Sequence, residues 1–171
     1  DGIFMMVGNV GTPTASVTLP VLREHNIPAV GFFTGAGLLR PGDGGPILNY
    51  RASYVEEVGA VVDEAVRRGF QPNEICAYVQ NDAYGMAGIV GMREAMLRHN
   101  ASQQLIDLYS EILSRRGEEP VRNNIGPVGV YPRNTAEVRA GYQSLKNWEE
   151  RTGTSCQVVV TVGAYENIAH F

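Results

Sequence analysis

Six apolar runs of strand length, separated by segments of helical period, constrain this chain more than any other feature. The runs are "GIFMMV", "PAVGFF", "ILNY", "EICAYVQ", "GPVGVY" and "QVVVTVG". Their alternation with helices predicts an α/β fold with a mainly parallel sheet. At 171 residues and 44% hydrophobic composition the chain can fill an ordinary core.

The helix signals are local and readable. In "SYVEEVGAVVDEAVRRG", Ser53 and Glu56 have capping-box spacing, Val55, Val58, Val62 and Val66 form one stripe, and Gly69 suits the left-handed position past the end. "NTAEVRAGYQSLKNWEERTG" predicts a helix capped by Asn134 with Glu137, its buried stripe Val138, Tyr142, Leu145 and Trp148. "DAYGMAGIVGMREAMLRHN" reads as a third helix, with Met86, Met92 and Met96 as core filler, and "QQLIDLYSEILSRRG" as a fourth. A polar loop, "EEPVRNNIG", follows it. "LLRPGDGGPILNY" breaks the rhythm: Pro41, Gly42, Gly44, Gly45 and Pro46 predict a loop without a full helix, and a boundary between structural halves near Arg51.

Charge and spacing exclude several functions. Fourteen basic residues against 18 acidic, with no Lys/Arg run, give no footprint for a nucleic-acid backbone. The apolar runs fall well short of the roughly 20 residues of a membrane-spanning helix. "DGIFMMVGNV" has no basic n-region and no small-residue cleavage site, so it does not report export directly; a processed or truncated chain would read the same. Cys76 and Cys156 form no CxxC pair and border apolar runs, so two buried thiols are expected, with a disulfide as the alternative. His25, His99 and His170 are expected at helix ends or on the surface, and no metal is expected.

"VGNVGTPTA" follows the first strand. Thr12 fits an N-cap and Pro13 the first helical position, so N–H groups would face the strand's carboxyl end. An ordinary turn and an anion site both fit. The stretch is neither a P-loop nor a GxGxxG fingerprint. "FFTGAG" repeats the arrangement with Thr34, Gly35 and Ala36, small residues that let a ligand approach the backbone. In the second half, "QNDAYG" and "VGAYEN" place Tyr84 and Tyr165 beside small residues, where a ring can cover a ligand and offer a hydroxyl. Asp82 is expected to cap the following helix. No nucleophile elbow, HExxH or other catalytic constellation is present, so the residues suit binding better than chemistry. No cofactor is expected.

"VGNVGTPTA", "FTGAGLLR", "NYRASYVEE", "YVQNDAYGMAG", "YPRNTAEV" and "VVTVGAYENIAHF" stand in an order and spacing that resembles type I periplasmic solute-binding proteins like the leucine/isoleucine/valine-binding protein. The resemblance implies three-layer, parallel-sheet lobes, incomplete here, with residues 1–52 in the first lobe and 53–171 in the second. It implies an interlobe cleft for a small polar solute, an amino acid or other carboxylate, with ligand contacts at Thr12, Thr34, Gly35, Ala36, Tyr84 and Tyr165. The expected partner is an ABC transporter permease, or a receptor's signalling partner if the lobes form a sensor domain; the expected location is periplasmic or extracellular. An enzyme of flavodoxin-like plan is the remaining alternative. Relative to the family the chain reads as an internal fragment, in which an acidic residue that often holds an amino group would lie beyond Phe171. Half a sheet standing alone would expose an edge and invite self-association. The segment 101–125 reads as an elaboration of the second lobe.

Overall fold

A computed structural model describes residues 2–42, 45–116 and 121–171. Gly44 of the expected Gly/Pro loop, Gly117 after the fourth helix and Glu118, Glu119 and Pro120 of the polar loop lie outside the described residues.

All six apolar runs become strands, in two parallel three-stranded sheets. In the first, β2 (Ala29–Val30) lies between β1 (Met6–Val7) and β3 (Ile47–Leu48), with Ala29 opposite both Met6 and Ile47. These strands are much shorter than the apolar runs that contain them. Helix α1 (Thr12–Glu24) covers one face, burying Ala15, Leu19 and Leu22 with Ala29, Phe32 and Leu39. Val7, Val10, Leu48 and Tyr50 stay exposed.

The second sheet has β4 (Ile75–Gln80) between β5 (Val128–Tyr131) and β6 (Val158–Val162), with Ala77 opposite both Val128 and Val160. All six β4 residues are buried, which explains why its sequence runs apolar without alternation. Its side chains still alternate between faces. Ile75, Ala77 and Val79 join a core with α2 (Tyr54–Arg67), α3 (Ala83–Arg98) and α4 (Gln103–Ser114), through Val62, Ile89, Met96 and Tyr109. Cys76 and Tyr78 face α5 (Arg139–Thr152) with Tyr131 and Leu145. Three layers result, and α4 supplies the core contribution of the 101–125 segment.

Local signals hold at α2, where the Ser53 hydroxyl accepts from Glu56 N at 3.1 Å while the Glu56 carboxylate accepts from Ser53 N at 2.7 Å. His25 and His99 cap helix C-termini, and His170 ends the short helix α6 (Tyr165–His170). Among the described residues no helix is long and apolar enough to cross a membrane.

Four expectations need correction. Cys76 and Cys156 are not thiols: they form a disulfide across 80 residues, with Cα atoms 5.6 Å apart. Pairing of Ile75 with Val158 and of Cys76 with Val159 draws the segment before β6 to the start of β4, a neighbourhood that linear spacing cannot reveal. Helix α5 starts at Arg139, beyond Asn134, which sits at φ 58; Glu137 still serves the helix, its carboxylate accepting from Arg139 N at 2.7 Å. Tyr142 is exposed rather than part of the buried stripe. At α1 the N-cap is Gly11, at φ 96, and not Thr12.

The layers also meet by backbone contact. A methyl at Gly129 of β5 would lie 2.3 Å from Gly141 O of α5, so Gly129→Ala should destabilise the chain by about 1–3 kcal/mol or more in urea unfolding. Unchanged stability would mean that α5 sits further from the sheet. Reduction, or Cys76→Ser with Cys156→Ser, removes a constraint spanning 80 residues and should lower unfolding free energy by about 2–4 kcal/mol. Equal urea midpoints with and without reductant would contradict the linkage.

Candidate functional site

Parallel pairing continues past β1 and β2 as a bridge between Val10 and Phe33, with Phe33 N donating to Asn9 O at 2.7 Å. This brings "VGNVGTPTA" against "FFTGAG". Gly11 makes the turn, its positive φ disfavouring other residues. The first helical bond runs from Ala15 N to Gly11 O, so the N–H groups of Thr12 and Thr14 precede the ladder and Pro13 has none to satisfy.

Thr12, freed from capping, turns its hydroxyl toward the neighbouring loop. Its Oγ1 lies 2.6 Å from Oγ1 of Thr34, and both residues are buried. Thr34 Oγ1 also accepts from Ala36 N at 3.2 Å. Gly35 is held differently from expectation: its carbonyl accepts from Tyr54 N at 2.8 Å, and a methyl there would lie 2.7 Å from that nitrogen and 2.8 Å from Tyr54 Cδ1. The space at Gly35 is occupied by Tyr54.

The second sheet contributes a polar cluster at its strand ends. Asp82 caps α3, its Oδ1 accepting from Tyr84 N at 2.9 Å and Gly85 N at 3.1 Å, while its Oδ2 accepts from Gln80 Nε2 at 2.6 Å. Arg133 Nε lies 4.0 Å from the same Oδ2. Tyr131 OH accepts from Ala164 N at 2.7 Å and reaches Gln80 Oε1 at 3.4 Å, tying β4, β5 and the turn after β6 together.

Between the two sets of strand ends lies a cavity of about 390 Å³ whose wall includes Thr12, Tyr84 and Tyr165. Thr34, Gly35 and Ala36 stand outside that wall, Thr34 bonded to Thr12 and Ala36 almost fully buried. Phe33, Tyr54, Gln80 and Arg133 also line it and were missed. Arg133 had a signal, since "YPRN" follows a strand end as "QNDAY" does; Tyr54 was absorbed into the helix start. A second cavity of about 370 Å³ shares Phe33, Tyr54, Tyr84 and Tyr165 and adds Arg51 and Glu57, which form an ion pair. The Glu57 hydrogen bond is the main cause holding Arg51 above its usual pKa.

The Tyr54 and Tyr84 rings lie 5.0 Å apart, tilted by 48°. Burial is the main cause pushing the Tyr84 phenol up to about 12. Among the described residues no cluster of three His, Cys, Asp or Glu could hold a metal ion.

The neutral Tyr84 phenol is favoured by folding, so its contribution is complete below the unfolded tyrosine value of about 10 and is lost as pH rises toward about 12. The urea midpoint should therefore fall across that window, and fall less in Tyr84→Phe. Identical pH profiles for the two proteins would contradict the burial of this hydroxyl.

No protein-family model matches the chain, and no curated protein does. Fourteen solved chains match in structure. One is a possible leucine/isoleucine/valine-binding protein from Rhodopirellula baltica SH 1, 34% identical, with a TM-score of 0.78 over 98% of this chain. The match spans 39% of that longer chain.

Proposed function

The chain belongs to the leucine/isoleucine/valine-binding-protein-like family of type I solute-binding proteins, and from that premise we propose that its cleft binds a small polar solute carrying a carboxylate. In this reading residues 1–52 contribute to one lobe and 53–171 to the other, and the solute is handed to an ABC-type transporter outside the cytoplasm. Binding, not catalysis, is the activity assigned.

The observation that carries the proposal is the position of the 390 Å³ cavity: it opens where the carboxyl ends of strands from both sheets meet the start of α1. Ligands of open parallel sheets bind at strand carboxyl ends. Arg133 is the only charged residue among the described residues of the wall, and with the α1 N-terminus it favours an anion. The Thr12–Thr34 hydroxyl pair supplies a hydrogen-bond donor at the edge of the same space. The α1 N-terminus alone contributes only about 0.3–1 kcal/mol to an exposed anion, up to about 2 when partly buried, so useful affinity requires closure that excludes water. The disulfide supports an oxidising compartment.

A thermal-shift screen with amino acids, aromatic acids, other carboxylates and amides identifies a probe, since a ligand of the folded state raises the midpoint with concentration. Thr12→Val leaves Thr34 Oγ1 its bond from Ala36 N, so stability should change by about 1 kcal/mol. Calorimetric affinity for the best carboxylate should fall about ten-fold or more. Unchanged affinity would remove Thr12 from the site, and a response confined to cations would overturn the anion reading.

A further inference from the structure

The carboxylate reading leaves the aromatic lining of the cleft without a role. Phe33, Tyr54, Tyr84 and Tyr165 each border both cavities, so four rings surround the space that the two share. Phe33 is 54% exposed and Tyr165 91% exposed, although both lie at the mouth of a cleft rather than scattered over an outer surface. Tyr54 and Tyr84 already stand 5.0 Å apart and tilted. A further ring among them can adopt offset or edge-to-face contacts at centroid distances of about 4.5–7 Å.

Two details show that Tyr54 and Phe33 are held in place. Tyr54 is seated against the bare backbone of Gly35, and the Arg51 guanidinium lies 5.1 Å from the Tyr54 centroid and 5.4 Å from that of Phe33 while paired with Glu57. Rings fixed in this way can discriminate shape, because little side-chain freedom is lost when a ligand packs on them.

An aromatic lining can also cage a cation. Charge argues otherwise here. Arg51 offsets Glu57, the only carboxylate among the described residues of the two linings; Arg133 has its partner Asp82 4.0 Å away, outside the lining; and the α1 N-terminus in the wall favours an anion over a cation.

We infer that the solute is an aromatic carboxylate, its ring packed among Phe33, Tyr54, Tyr84 and Tyr165 and its carboxylate directed toward Thr12 and Arg133. This rests on the cleft being the solute site. An aliphatic side chain of similar volume would fill the same space without the ring-to-ring geometry, so selectivity between flat and puckered rings is the discriminating property.

The test is calorimetric titration with 3-phenylpropanoate and its saturated counterpart, 3-cyclohexylpropanoate. The aromatic acid should bind about ten-fold tighter. In Phe33→Leu and in Tyr54→Leu that preference should shrink to about three-fold or less, with the affinity for the cyclohexyl acid little changed. Circular dichroism melts check folding, and Phe33, being exposed, can be replaced without opening the core. Equal binding of the two acids, or tighter binding of the cyclohexyl acid, would overturn the aromatic assignment while leaving the cleft as the site. Binding only of an amide or sugar would overturn it and the carboxylate reading together. No response to any solute would remove the cleft reading itself.

Discussion

Parallel pairing around the two central strands is the constraint on which the rest of this molecule depends. Because β1, β2 and β3 run one way in their sheet, and β4, β5 and β6 run one way in theirs, each sheet gathers its carboxyl-end loops along one edge. Residues distant in sequence thereby become neighbours: Thr12 meets Thr34, and Gln80 meets Tyr131. The second sheet is packed on both faces and the first on one, so rigidity and exposed apolar surface are unevenly divided between them.

The polar groups at the strand ends are occupied chiefly with one another. Asp82 is committed to the start of α3 and to Gln80, and Tyr131 OH to the turn before α6. Such mutual satisfaction makes the floor of the cleft stiff and leaves little uncompensated charge on it. What remains for a solute is a short inventory: a hydroxyl pair, one guanidinium, and rings.

Strand and helix existence was legible because apolar length and period-3.6 stripes are local properties. The capping box at Ser53 and Glu56 and the cap at Asp82 were legible for the same reason. What depends on register was not. The disulfide follows from the alignment of β4 with β6, and the start of α5 from an asparagine that takes a left-handed conformation instead of capping. Thr12 was placed correctly at the start of α1 but given the wrong bond, since Gly11 caps and Thr12 reaches across to Thr34. Tyr54 could not be foreseen at the cleft, because its position depends on a backbone contact across the crossover.

That crossover contact carries one more consequence. Arg40 pins the segment by donating to Arg51 O at 2.8 Å, and Tyr54 then leans on a residue with no side chain. The ring is therefore aimed by the absence of a side chain in the opposite loop. A single methyl at position 35 would re-aim the wall of the cleft without touching its contents, so recognition could drift, or be engineered, from a site that no map of ligand contacts would mark.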